Sequence, residues 1–401
     1  MRIKFKSPSF RQIVFVITLF SITILLNSCV DEYWPDIGTK YDELLVVDGS
    51  LSNEPGPYII KLSNSLNIEI PEYKPLSNYE VIISDNLGNS EVLKEIEKGI
   101  YQTSADGIQG IIGRSYKLMI KSPSNDRYET EYEILQNPIE IDNVYSEIGK
   151  KTVAGYDHKL SGLQFYVDTK MADKDTNYIL WRLEDTYEYN ANYRAKYIYD
   201  HFQMHLLNPS DSLYTCWRTR KRKEIITATT KNQTEPKIIK MPLQFISTET
   251  KELSVRYSVL VKQYTLNYKA YDYWNKLIEI EDDVSWLYAI QPYPVLGNVR
   301  NIADDSEIVL GYFMVTGIDK KRIFVDKPDG LDWYYNTTCA FIQEDMYTLL
   351  NLWRYSWPLY LAASYSNSGG GQGPALPVSQ VCVDCRESGG VLEPPDFWNK
   401  K

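Results

Sequence analysis

The chain has 401 residues and carries 43 Lys and Arg against 53 Asp and Glu, a net charge of −10 at pH 7. Four of the basic residues fall within residues 1–28, so the remainder holds 39 basic residues against 53 acidic ones. That balance argues against nucleic acid and anionic membrane surfaces as partners, which need a basic footprint, and a remainder this long exceeds one comfortable core, so two domains are expected.

Residues 1–12 carry Arg2, Lys4, Lys6 and Arg11 with no acid, and Ile13 to Leu26 follow with no charge. The run is shorter than the roughly twenty apolar residues of a spanning helix and reads as a secretory signal peptide over residues 1–28. Leu26, Ser28 and Cys29 resemble the lipobox of bacterial lipoproteins, in which a diacylglycerol is attached to the cysteine thiol. The competing reading is an ordinary signal peptide with Cys29 in a disulfide. Asp31 and Glu32 resemble the export signal by which Bacteroidota lipoproteins reach the outer face of the outer membrane, although two acids also suit a solvated linker. Residues 29–43 then form a lipid-anchored tether.

From Leu44 the pattern turns to short β-branched runs, LLVVDGSL, PYIIKLS and YEVIIS, broken by EPGP and DNLGN. Tyr116, Leu118 and Ile120 alternate with polar or flexible neighbours. In Tyr128-Glu129-Thr130-Glu131-Tyr132-Glu133-Ile134 the period of two predicts glutamate at every outward position. Turn signals such as Asp106-Gly107 complete the pattern of an immunoglobulin-like β-sandwich over residues 44–136, and QNPIEID (136–142) is the expected boundary.

Residues 143–401 read as a larger β-rich domain, sandwich or barrel-like, with a few helices. Strands are expected at 163–168, 177–184, 255–268, 307–315 and 321–326. Tyr271, Trp274, Leu277 and Ile278 recur at helical spacing, and a second helix is expected over 344–354, where Met346, Leu349, Leu350 and Trp353 share a face. SNSGGGQGPALP, residues 366–377, reads as a loop.

Cys216, Cys339, Cys382 and Cys385 make an even set in an exported chain, so two structural disulfides tying the C-terminal tail back to the domain are expected, with three pairings open. Cys382 and Cys385 have CxxC spacing, but no helix begins there to lower a thiol pKa, and no second close pair completes a zinc site. His201 and His205 stand four apart, which on a helix or on the strand that Tyr197, Tyr199 and Phe202 suggest would place both on one face, but the glutamate of HExxH is missing and His158 is the only other histidine, so no metal is expected. The acidic clusters at 279–283 and 304–307 lack the order of a calcium loop and read as solvated faces. No nucleophile elbow or phosphate loop is present, and no cofactor is expected. A paired-carboxylate hydrolase leaves no local signature and stays open.

There are 33 Tyr and 9 Trp against 11 Phe, an amphipathic aromatic content that suits interfaces and ligand sites as well as strands. The densest run is Trp333, Tyr334 and Tyr335, followed by Trp353, Tyr355, Trp357 and Tyr360. Most of it is expected to be core, with Trp333, Tyr334, Tyr335, Tyr355 and Trp357 as the candidate aromatic binding patch.

Pro294-Val295-Leu296-Gly297-Asn298-Val299, then Val309-Leu310-Gly311-Tyr312-Phe313 followed by Lys321-Arg322-Ile323-Phe324-Val325, then Cys382-Val383-Asp384-Cys385-Arg386 with Gly389-Gly390 and Pro395-Asp396-Phe397-Trp398, resemble a Bacteroidota lipoprotein family. It is the one catalogued as domain of unknown function forty-two forty-nine, and LLVVDGSLSNEPGPYIIKLS looks like its first strands. The resemblance implies an outer-membrane, lipid-anchored protein encoded beside TonB-dependent receptors, with an accessory role in uptake. It carries over no catalytic residue.

Three functions are therefore expected in order. The first is a non-enzymatic outer-membrane lipoprotein that partners a TonB-dependent β-barrel transporter or binds its ligand, a glycan or peptide. The second is a surface glycan or peptide hydrolase with carboxylate chemistry. The third is a structural envelope protein.

Overall fold

Leu45–Ser52, the first strand, buries Leu45, Val47 and Leu51 along one face, as its alternation requires. It pairs antiparallel with Ile59–Asn64 and, on its other side, parallel with Leu310–Asp326, from Val46 opposite Leu310 to Ser52 opposite Thr316. The computed structural model describes residues 44–65, 74–153, 155–172, 176–201, 203–209, 211–283, 294–331, 333, 338–342, 358–365 and 372–398. Cys29, Asp31, Glu32, Tyr334, Tyr335, Tyr355, Trp357, the signal peptide, the tether and the expected helix at 344–354 lie outside the described residues.

The protein is mainly β. Its first sandwich sets Leu45–Ser52, Ile59–Asn64, Ile100–Gln102 and Lys94–Glu97 against a sheet ordered Val299–Asn301, Arg127–Thr130, Ser115–Lys121, Glu80–Asp85 and Ser90–Val92. Val47, Leu51, Ile60, Leu62, Val81, Ile83, Tyr116, Leu118 and Ile120 fill the space between, joined by Val299, Val309, Phe313 and Val315 from far along the chain. Tyr116, Leu118 and Ile120 alternate inward as expected.

The second sandwich is formed by Tyr178–Asn190, Arg256–Leu266, Thr215–Lys221 and the later half of Leu310–Asp326, faced by Ile141–Thr152, Lys159–Thr169 and Met241–Ser247. Its core holds Leu163, Phe165, Val167, Ile179, Trp181, Tyr257, Val259 and Val261. The Trp181 indole donates to Gln263 Oε1 at 2.8 Å. Asp185 is fully buried beside this core and is neutralised by Arg220 at 2.9 Å and Arg222 at 2.5 Å, while Tyr257 donates to it at 3.1 Å.

The two cores are distinct, the first taking Val299, Val309, Phe313 and Val315 from the later part of the chain, and Leu44–Lys401 is a single compact unit. The strands expected at 307–315 and 321–326 are one 17-residue strand, Leu310–Asp326, that belongs to both sandwiches. The segment 136–142 is packed rather than free: Ile139 N donates to Thr265 Oγ1 at 2.9 Å and Ile139 O accepts from Gln263 at 2.6 Å.

The expected helix forms over Tyr268–Asp283 (α1). Asn267 Oδ1 caps it, accepting from Ala270 N at 2.8 Å. Ala270 and Tyr273, with Tyr271, Trp274 and Leu277 beside them, cover Leu180, Tyr312 and Met314 on the outer face of the shared sheet.

Two local expectations change here. Part of the loop expected at 366–377 is a strand, Gln372–Ala375, paired antiparallel with Leu359–Tyr365. His201 sits at a turn with φ of +45° beside Asp200, whereas His205 lies on Gln203–Leu206, so the two imidazoles do not share a strand face. Among the described residues no three His, Cys, Asp or Glu side chains group as a metal site, and no helix is long and apolar enough to cross a membrane.

Of the three possible pairings, the cysteines form Cys216–Cys385 and Cys339–Cys382. Behind them the tail is held by a bridge between Trp217 and Val391. Trp398 is buried and its indole donates to Glu188 at 3.2 Å, and the Arg322 guanidinium lies 3.6 Å from the Phe397 ring centroid. Gly390 leaves room for Tyr189, whose hydroxyl would stand 2.4 Å from any Cβ there.

Candidate functional site

The third change is the functionally informative one. The strand Arg127–Thr130 stops, and Glu133–Ile134 restarts as a two-residue strand paired with Ser115–Tyr116. Across the break the alternation slips: Ile134 is exposed and Glu133 turns inward. The prediction that Glu133 faces solvent with Glu129 and Glu131 fails because the register changes by one residue at Glu131-Tyr132, where no Gly or Pro marks a break.

Two glycine motifs build the surroundings of Glu133. Leu296 bridges Leu310, and Gly297 and Gly311 bring their strands so close that a Cβ on Gly297 would meet the Gly311 oxygen at 1.7 Å. The residue after each glycine then points at the same carboxylate. Tyr312 Oη donates to Glu133 Oε1 at 2.9 Å and Asn298 Nδ2 donates to it at 3.2 Å. Asn298 is itself clamped, accepting from Phe313 N at 2.9 Å and donating to Phe313 O at 2.8 Å.

Glu133 Oε2 is buried and has no hydrogen bond of normal geometry among the described residues. Burial pushes the Glu133 carboxyl above its usual value of 4.5, against the opposing pull of Tyr312 and Asn298 and a weaker one from Asn267 and the Val315 backbone. Burial, the Glu133 charge and its hydrogen bond also raise the Tyr312 phenol, so the proton stays on Tyr312 and the tyrosine is the donor.

Glu133 lines a pocket of about 370 Å³ whose other walls include Tyr268, Lys269, Tyr273 and Lys276 of α1, with Asn298, Arg300 and Tyr312 opposite. The Tyr273 and Tyr312 rings pack with centroids 5.0 Å apart, and burial pushes the Tyr273 phenol up to about 12. The pocket's exposed charges are paired: Lys269 with Glu131 at 2.5 Å and Lys276 with Asp272 at 2.6 Å. Arg300, largely exposed, is 3.8 Å from Glu129. Glu133 is therefore the buried carboxyl of the pocket, and the acids around it are bound to lysines.

A larger cleft of about 630 Å³ lies along Gln136–Glu140, with Ile112, Ile134 and Met171 at its walls. Its charged residues, Lys170 and Glu140, are bound to each other, and none of the described residues lining it has a buried side-chain polar atom without a partner.

Of the residues singled out in the sequence, the four cysteines are brought together in two disulfides at the tail, and none of them lines the Glu133 pocket. Trp333 is partly buried against the second core under the Lys327 ammonium, 4.8 Å from its ring centroid. Asn298 and Tyr312 lie inside motifs that the sequence displays, whereas Glu133 gave no signal as a site residue.

The chain matches no curated protein. A family model described as domain of unknown function (DUF4249) matches residues 30–322, which takes in Glu133, both glycine motifs, α1 and the Leu180, Tyr312 and Met314 that α1 covers. The disulfide-tied tail lies beyond the matched segment. On a match covering most of its length, the chain belongs to the DUF4249 family.

Proposed function

We propose that the protein is a lipid-anchored outer-membrane lipoprotein that acts, without catalysis of its own, as the accessory or ligand-binding partner of a TonB-dependent transporter in nutrient uptake. The lipobox at Leu26-Asn27-Ser28-Cys29 supplies the anchor, and three acyl chains, at about 0.8 kcal/mol per buried methylene, exceed what stable anchoring needs. Two disulfides suit an oxidising envelope compartment. The observation that carries the binding role is the preformed polar pocket at Glu133, assembled by Asn298 and Tyr312 from the two glycine motifs.

A hydrolase working by paired carboxylates has less support there. It needs two carboxyls poised for acid and base work, and the companions of Glu133 in this pocket, Glu131 and Asp272, are each engaged by a lysine.

The test is affinity capture of the tagged lipoprotein from detergent-solubilised outer membranes. Co-purification of a large β-barrel receptor is expected; repeated recovery of the lipoprotein alone would count against the proposal. Cys29→Ser is expected to move the protein from the membrane to the soluble fraction with its fold intact.

A further inference from the structure

Glu133 lines the pocket with hydrogen-bond donors around its carboxyl but no ion-pair partner among the described residues. Tyr312 and Asn298 donate to Oε1, with weaker pulls from Asn267 and the Val315 backbone, and all of these donors are neutral. A desolvated carboxylate held by neutral donors alone keeps an uncompensated charge. Lys269 and Lys276 line the same pocket but are held by Glu131 and Asp272.

We infer, taking the Glu133 pocket as a ligand site, that it binds a primary ammonium group, such as the free N-terminus of a short peptide. An ammonium brings the positive charge that a desolvated carboxylate needs, together with a donor. A neutral hydroxyl would bring only the donor. Tyr268 and Tyr273 line the wall, and aromatic rings favour a cation over a neutral group. At the rim Arg300 is largely exposed and held only at 3.8 Å by Glu129, so its guanidinium is available to a carboxylate on the same ligand. A small zwitterionic ligand therefore finds a complementary group for each of its ends, with the ammonium inward.

Isothermal titration of the purified full-length chain in detergent tests this with three probes: trialanine, N-acetyl-trialanine and maltose. Trialanine is expected to bind, and capping its amine is expected to weaken binding about tenfold or more, as is Glu133→Gln. The comparison of capped and uncapped probes needs no variant, and Tyr312→Phe, which removes one donor to Oε1, gives a second protein if Glu133→Gln does not fold. Equal binding of the two peptides overturns the inference. Maltose binding that depends on Glu133 would also overturn it, while leaving the pocket a ligand site for neutral hydroxyls. Silence of all three probes at about 10 mM overturns the ammonium assignment and leaves the transporter partnership to its own capture experiment.

Discussion

Gly297 and Gly311 meet back to back: a Cβ on Gly297 would stand 1.7 Å from the Gly311 oxygen, and one on Gly311 would stand 2.0 Å from the oxygen of Val47. Three backbones are stacked with no side chain between them, and this contact delivers Asn298 and Tyr312 to Glu133. Gly311 also has φ of +85°, which an L side chain rarely adopts. Gly311→Ala is expected to lose about 3 kcal/mol or more, because neither obstacle is a movable side chain, and Gly297→Ala is expected to fall in the same range. Urea unfolding measures it. An unchanged midpoint for both variants would contradict the close approach.

Glu133 should be a burden on stability at neutral pH. Its folded pKa lies above its unfolded value of 4.5, so between the two the folded state binds more protons and stability falls as pH rises. Glu133→Gln keeps the accepting oxygen and removes the charge. It is expected to raise the Tm at about pH 7 and to change it little at about pH 4. A Tm lowered equally at both would show that the carboxylate is well solvated or paired.

The sequence displayed those strands that are half-buried with a clean alternation, as at Tyr116, Leu118 and Ile120, but not Ile141–Thr152, Thr215–Lys221 or Met241–Ser247. It displayed α1 because Tyr271, Trp274 and Leu277 cover a sheet face. What it could not display is pairing between distant segments. Nothing local says that Gly311 runs beside Val47, or that Leu310–Asp326 joins both sandwiches. The site was hidden for a related reason: Glu133 continues a regular alternation on paper, and only the one-residue slip after Thr130 turns it inward. The motifs around Gly297 and Gly311 were visible, but their chemical meaning depends on a carboxylate brought in from residue 133.

The Cys216–Cys385 disulfide spans 169 residues of sequence and fixes the tail that carries Phe397 and Trp398. Replacing both cysteines by alanine is expected to destabilise the chain by about 2–5 kcal/mol and to expose the tail to limited proteolysis after Arg386. Trp398→Ala alone, which removes a buried indole, is expected to lose about 3 kcal/mol. Proteolysis unchanged in the double alanine variant would show that the aromatic contacts hold the tail by themselves.

Asp185 balances two arginines inside the second sandwich. Asp185→Ala would leave Glu252 as the one carboxylate partner of Arg220 and Arg222 among the described residues, and a loss of about 3–5 kcal/mol is expected. Combining it with Arg222→Met is expected to recover part of that loss, since the second change removes the uncompensated charge. A double variant as unstable as the sum of its parts would contradict the charge argument.

The most direct measurement is the titration of the Glu133 side-chain carboxyl carbon by NMR, followed with and without trialanine. A midpoint above the usual 4.5 is expected in the free protein, moved downward when a free-amine peptide supplies a cation to Glu133. A midpoint at or below 4.5 that the peptide leaves in place would show that Glu133 is neither poised nor a ligand contact.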